Sequence, residues 1–292
     1  MIDFEKTKAW RSGPVRHVYT TKDTILYALG VGFGADALNA NDLRYVYEME
    51  LCAVPTMAAV LASPGSWMRD RKELGIDFLK LVHGEQSVTL HAPLPAAAAL
   101  VGESRVTRIV DKGEGKGAVM HVEKTLTDEA GGRLIATVEM VLFLRGDGGF
   151  SREGGGDEAA PAAAAAPATQ LDLRIELPTR ADAALLYRLS GDLNPLHADP
   201  AVAIRAGFPR PILHGLATYG NACRAILGAF CNHDTARLKA IRARLTSPVY
   251  PGETLVLETW RLAGEEIAFR ASVKERDVQV LANGRALLAT PG

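Results

Sequence analysis

The chain repeats itself on either side of a stretch too poor in apolar residues to build a core. Residues 146–169 read GDGGFSREGGGDEAAPAAAAAPAT, almost all Gly, Ala, Pro and a few charges. Such a segment buries too little apolar surface to offset the entropy of ordering it, and Pro161 and Pro167 bracket the alanine run. It is expected to be a flexible linker between residues 1–145 and 170–292. Those two parts echo one another: residues 26–32 (LYALGVG) match residues 186–192 (LYRLSGD) at an offset of 160. Further on, Val101-Gly102-Glu103 matches Pro251-Gly252-Glu253 at an offset of 150. Internal repetition constrains the fold before any motif does, because both halves should be the same supersecondary unit.

After each Gly-Glu come long strand-like runs, at 104–111, 118–127 and 133–144 in the first half and 254–262, 265–274 and 278–289 in the second. Their alternation of apolar and polar residues suits strands buried on one face. Each half also has a helical candidate ahead of these strands. In the second half it covers residues 212–230, where Leu213, Leu216, Tyr219, Cys223, Ile226 and Leu227 recur at helical spacing; in the first half it is shorter, at 55–63. A helix apolar nearly all round needs a sheet wrapped about it. The expected architecture is α+β: two curved antiparallel sheets in tandem, each on a central helix, with edge strands paired into one continuous sheet.

Composition narrows the function classes. The net charge is −1, with 33 basic and 34 acidic side chains, which gives no basic excess for nucleic acid. Three cysteines, Cys52, Cys223 and Cys231, have neither the count nor the spacing of a disulfide framework or zinc site, so free thiols in a reducing compartment are expected. There is no apolar run long enough to span a membrane, no signal-like start and no Ser-Lys-Leu ending, so the expectation is cytoplasmic.

The chemistry concentrates in residues 187–200, YRLSGDLNPLHADP. Asp192, Asn194 and His197 fall within six residues, and Pro195 biases the chain out of helix, so they sit on an irregular connection of the kind that often carries catalytic groups. Each alone has a plainer reading: Asp192 as a turn former, Asn194-Pro195 as a turn, His197 as a structural imidazole. Asp199 before Pro200 reads as a helix cap with proline at the first helical position. The next stretch, residues 206–216 (AGFPRPILHGL), leads through two prolines into the long helical candidate. There the free N–H groups and positive end of a helix would meet a ligand, and Gly215 would let it approach the backbone.

Together these stretches resemble the MaoC-like hydratases, in particular the (R)-specific 2-enoyl-CoA hydratases known as hydratase 2, in their double-hot-dog form. The likeness rests on the ordered set SGDLNPLHADP, AGF and PILHGL, and LVHGEQ at 81–86 resembles the N-terminal half of that family. It covers nearly the whole chain. The resemblance implies that only the C-terminal repeat is catalytic, and Gly32 indeed stands where Asp192 stands in the repeat. It implies Asp192 and His197 as the catalytic pair, Asn194 positioning water or substrate, and the Gly215 N–H on the thioester oxygen. The reaction implied is syn hydration of a trans-2-enoyl-CoA to a (3R)-hydroxyacyl-CoA, with no metal or redox cofactor; the assembly implied is a homodimer, the alternative being a monomer that already mimics a hot-dog dimer. Arg210, Arg188, His83 and Gly84 are candidate substrate or CoA contacts, and the first half is expected to shape the acyl tunnel. Alternatives are another acyl thioester within the family (branched, dicarboxylic, steroid-derived or carrier-bound), a non-catalytic acyl-CoA binder, or a thioesterase. The last is disfavoured because residues 214–230 hold no Asp or Glu.

Overall fold

Alternation sets the strands. In residues 118–126, Ala118, Met120, Val122, Lys124 and Leu126 are buried, while Val119, His121, Glu123 and Thr125 between them face the more open side. The computed structural model describes residues 2–36, 38–161, 164–167 and 170–290. The first half supplies β1 (Arg11–Tyr19), β2 (Leu81–Leu90), β3 (Ala98–Asp111), β4 (Ala118–Asp128) and β5 (Leu134–Leu144). The second supplies β6 (Leu173–Pro178), β7 (Leu238–Leu245), β8 (Thr254–Arg261), β9 (Glu266–Val273) and β10 (Val278–Leu288). They form one ten-stranded sheet in the order β1-β3-β4-β5-β2-β7-β10-β9-β8-β6. Each half therefore has the same internal order, and the two meet as mirror sequences at β2 and β7. That seam is antiparallel, running from Glu85 opposite Arg244 to Thr89 opposite Ala240. The continuous tandem hot-dog sheet is as expected.

The helices are α1 (Phe4–Lys8), α2 (Thr21–Gly30), α3 (Leu43–Val46), α4 (Trp67–Asp70), α5 (Ala183–Tyr187), α6 (Pro200–Arg205) and α7 (Gly215–Cys231). The two halves differ here. The second-half candidate becomes α7, seventeen residues with Arg224 its single charge, ending where Asn232 takes a left-handed φ of 51°. The first-half candidate does not become an α-helix: Pro55–Ala59 is a short 3₁₀ turn. Two features account for this correction. Ala62 has φ 47°, which stops helical continuation. Lys124, reaching in from β4, donates its Nζ to the carbonyls of Ala59 (3.1 Å) and Leu61, so these oxygens find partners without further helical turns.

A single helix consequently serves both repeats. The main core gathers Tyr219, Cys223, Ile226 and Leu227 of α7 with Val88, Leu100 and Ile135 of the first half and Leu257, Ile267 and Phe269 of the second. Gly220 lets α7 come close to the first half, since a Cβ there would lie 2.4 Å from Val31 Cγ1. The repeat-matched tyrosines Tyr27 and Tyr187 also meet, with ring centroids 5.8 Å apart. A second core, around Trp10, Trp67, Met120 and Leu144, belongs to the first half alone.

Within the segment joining the repeats, Phe150–Glu153 forms a 3₁₀ turn. Asp157 accepts from the Ile109 amide at 2.7 Å, and Arg285 Nη2 donates to the carbonyls of Ala164 and Ala165 at 3.0 Å each. Residues 162–163 and 168–169 of the expected linker lie outside the described residues. Among the described residues no helix is long and apolar enough to cross a membrane.

Candidate active site

The segment after α5 leaves helical geometry through a 3₁₀ turn, Arg188–Ser190, and Gly191 at φ 118°. The left-handed φ is open to glycine, and it swings the chain so that Asp192 emerges beside the head of α7. Asp192 Oδ1 accepts from the Asn194 amide at 3.1 Å, and Asn194 Oδ1 in turn accepts from the Leu196 amide at 3.0 Å. Asn194 thereby caps the short turn Pro195–His197. Its side-chain oxygen is committed to the backbone, and its Nδ2 is the atom left to face a ligand. Asp199 caps α6, accepting from the Ala201 amide at 2.8 Å ahead of Pro200 at the first helical position, as expected.

His197 is buried, with Nδ1 2.8 Å from the Ile212 carbonyl. A carbonyl only accepts, so Nδ1 carries the proton and Nε2 keeps its lone pair. Burial lowers its pKa from the ordinary histidine value, which keeps the ring neutral. His214 is buried too, its ring stacked on His197 at 3.6 Å between centroids and inclined by 26°. His214 Nε2 donates to the Asp192 carbonyl at 3.1 Å, and burial followed by the charge of a protonated His197 lowers its pKa. Tyr187 lies against the same ring at 4.9 Å, with its hydroxyl buried. Side-chain ligand atoms of Asp192, His197 and His214 all fall within 4.8 Å of one another.

That grouping has the residue types of a metal site but not the ring geometry. Imidazole binds a metal in the ring plane at about 2.0–2.1 Å. With these rings stacked face to face, an ion in the plane of one would sit well out of the plane of the other.

Gly215 opens α7, so its N–H has no acceptor within the helix. A Cβ at this position would lie 2.7 Å from Leu245 Cδ1. A side chain here would have to displace the end of Leu245, and the glycine leaves its backbone free to meet a ligand. A cavity of about 170 Å³ opens on His197, lined also by Ala184, Ala198, Arg210, Pro211 and Pro251. Arg210 holds its place on that rim by donating to the Pro251 carbonyl at 3.1 Å and lying 5.1 Å over the Tyr250 ring. Arg188 does not line that cavity; its Nε is buried and unpartnered, and its charge acts on His214.

The first repeat contributes His83 from the β2 bulge. Its Nε2 donates to the Glu85 carbonyl at 3.1 Å, and burial pushes its pKa down to about 4 while the Asp192 charge acts in the opposite sense. The neighbouring Gly84 would place a Cβ 3.3 Å from the Val141 carbonyl oxygen, a fit explained by sheet packing. A larger cavity, about 360 Å³, lies on the opposite face of the sheet, among Glu85, His121, Glu139, Arg242 and Arg244. Asp192, His197 and His214 take no part in it.

His214 was visible in the sequence as part of the PILHGL run without a role of its own. The signal that would have raised it is the left-open helix end at 214–215: a residue just before the first turn of α7 must face the same site as Gly215.

Fold and site together define a double hot-dog protein with an Asp–His–His cluster at the head of the helix shared by both repeats. Comparison with known proteins agrees. The MaoC like domain matches residues 162–283, and the MFE-2 hydratase 2 N-terminal domain matches residues 17–146. The 3-hydroxyacyl-thioester dehydratase Y of Mycobacterium tuberculosis is 43% identical over 269 residues, which is 90% of this chain and 89% of that protein. The peroxisomal enoyl-CoA hydratase 2 of Arabidopsis thaliana is 37% identical over 285 residues, covering 91% of this chain and 89% of its own. Among solved structures, a MaoC-like dehydratase from Phytophthora capsici superposes with a TM-score of 0.86 at 32% identity, over 100% of both chains. The chain belongs to the MaoC-like dehydratase family, in the group that carries the hydratase 2 N-terminal domain.

Proposed function

We propose that the protein is a hydro-lyase that reversibly adds water across the double bond of a trans-2-enoyl-CoA, giving the (3R)-hydroxyacyl-CoA, with Asp192 and His197 as the catalytic pair. The observation that carries this reading is that a carboxylate oxygen of Asp192 and a ring nitrogen of buried His197 lie within 4.8 Å of one another beside the open N-terminus of α7, with Nδ1 of that imidazole already bonded to the Ile212 carbonyl. The relatives' names describe both directions of the same reaction, hydration and dehydration.

The thioester draws electrons from C3 and makes it electrophilic. One water, held between the carboxylate and Nε2, gives its oxygen to C3 and a proton to His197. The pair returns one proton to C2, so that one molecule of water is added in all. Two groups acting from one side of the substrate would favour syn addition. The Gly215 N–H supports the negative charge that develops on the thioester oxygen, an effect worth about 10²–10³ in rate. Arg210, on the rim of the cavity that opens on His197, is the side chain suited to the CoA phosphates. Arg188 does not line that cavity. His83 and Gly84 bring the first repeat's strand to the edge of the site. The free thiols fit a reducing compartment, and the cytoplasm is the location this reading carries.

Purified protein mixed with trans-2-enoyl-CoAs of several lengths should remove the conjugated thioester absorbance, and chiral analysis should find the (3R) product. Asp192→Asn and His197→Ala should keep the fold and lose most turnover. Near wild-type activity in either variant, or a (3S) product, refutes the pair as drawn.

A further inference from the structure

We infer that His214 is a positioning residue for the hydration: stacked on the ring of His197 and bonded to the backbone of Asp192, it fixes the two members of the pair relative to one another. This rests on the assignment of Asp192 and His197 above. The two residues are held unequally: His197 is buried and bonded to the Ile212 carbonyl, whereas Asp192 lies in the exposed, irregular part of the connection. Asp192 is exposed and its side chain is held by one Asx turn, through the Asn194 amide. Residues 191–194 form neither helix nor strand. Without a tie from the body of the fold to its own stretch of backbone, the carboxylate would drift away from the fixed imidazole.

His214 supplies that tie from a rigid base, as the residue immediately before the first turn of α7. It makes two contacts in different directions, one to each partner. Its ring face packs on His197 at 3.6 Å, and its Nε2 donates to the Asp192 carbonyl at 3.1 Å. A merely space-filling ring does not explain the arrangement. Because Nε2 carries the proton, Nδ1 is a bare acceptor, and it is buried with no hydrogen-bond partner. An unsatisfied buried acceptor costs stability, and a phenylalanine would stack on His197 without that cost. What the imidazole adds over phenylalanine is the single N–H directed at Asp192. Burial, which lowers the pKa of His214, keeps that ring neutral, so the stack stays free of charge repulsion between its two members.

The two contacts can be separated by substitution. His214→Phe keeps the ring face and removes the N–H. His214→Gln keeps an N–H at the position of Nε2 and removes the ring. Misplacing reacting groups by about 1 Å costs on the order of 100-fold in rate. His214→Phe should therefore lose about 100-fold in kcat with KM nearly unchanged, and His214→Gln should recover about 10-fold of that loss. Melting temperature is followed in parallel, since a structural role would lower it in proportion to activity in both variants. A His214→Phe enzyme within about 2-fold of wild-type kcat overturns the inference, as does a loss confined to KM or a glutamine variant no better than phenylalanine. If His197→Ala and Asp192→Asn are themselves active, the assignment of the pair fails first. If both are inactive while His214→Phe is not, the pair stands and this inference alone is lost.

Discussion

Residues 26–32 and 186–192 share one seven-residue pattern and end in opposite circumstances. Tyr27 and Tyr187 occupy matching places and pack on one another, and Gly30 lies so near that a Cβ there would meet Tyr187 Cα at 3.2 Å. Five residues after each tyrosine the halves part. In the second, Asp192 stands exposed beside two buried imidazoles. In the first, Gly32 stands at φ 91° under α7, where a Cβ would come within 3.0 Å of Asn221 Oδ1 and 3.3 Å of Arg224 Cζ. The difference lies in what α7 presents to each. Its N-terminus, open and unpaired, faces the second repeat's loop; its middle, with Asn221 and Arg224, is laid against the first repeat's. One helix cannot offer two free ends to two loops, so one copy of the pattern can surround chemistry and the other becomes a packing surface.

The sharpest way to break this comparison is to exchange the residue that differs. Asp192→Asn should reduce kcat by about 10²–10⁴, whereas Gly32→Asp should restore nothing to that variant. Steady-state kinetics of the single and double variants decide it, and activity returning with Gly32→Asp would mean the first repeat retains a usable site. The same Gly32→Asp substitution should lower stability by about 1–3 kcal/mol, because a non-glycine residue is forced into a left-handed φ, in denaturant titrations. Gly220→Ala, at the contact of α7 with Val31, should cost about 1–3 kcal/mol through overpacking, with activity per folded molecule kept. A fall in activity with no fall in stability would show that α7 is positioned for the site by something other than this contact.

The subtlest test concerns His83, a first-repeat imidazole on which the Asp192 charge acts. The pKa of His83 is about 4 in the folded protein, against about 6.5 in an unfolded chain. Between those values the unfolded state binds more protons than the folded one, so stability is full above pH about 6.5 and falls as pH drops toward 4. His83→Gln should flatten that slope in melting curves taken across the window. An unchanged slope would show that His83 is not buried neutral beside Asp192.

How far this was legible from sequence follows from how each element earns its structure. β3, β4, β5, β8, β9 and β10 are long and alternate cleanly, and their expected bounds agree with the observed ones to within a few residues, the largest gap being at the start of β3. β1 and β6 were not anticipated. They are the outer edges of the sheet; β1 contains Gly13 and Pro14 and a break in register, and β6 is six residues long. The seam strands β2 and β7 were also missed as strands, although Ile241 and Ala243 alternate with Arg242 and Arg244 as a strand should. The helix expected at 55–63 followed the local apolar pattern. It lost to tertiary context, since α7 fills the core of both repeats and Lys124 satisfies the carbonyls that a helix would have used. In the site, the six-residue cluster of Asp192, Asn194 and His197 could be seen because it is contiguous. His214 lies seventeen residues beyond His197, and the fold alone stacks the two rings.

The seam between β2 and β7 has a consequence for how such a protein can change over time. When two identical subunits meet about a two-fold axis, every substitution is made twice, and a residue that improves one side of the joint must be tolerated on the other. Here the rungs from Glu85–Arg244 to Thr89–Ala240 join two segments of one polypeptide, and the joining residues are no longer copies of each other. Each partner of a rung is inherited separately. The tether also holds the halves at high effective concentration, so the seam needs only a modest affinity of its own to stay closed. Freed from self-complementarity, one repeat can trade its helix for a short turn and its aspartate for a glycine while the other keeps both.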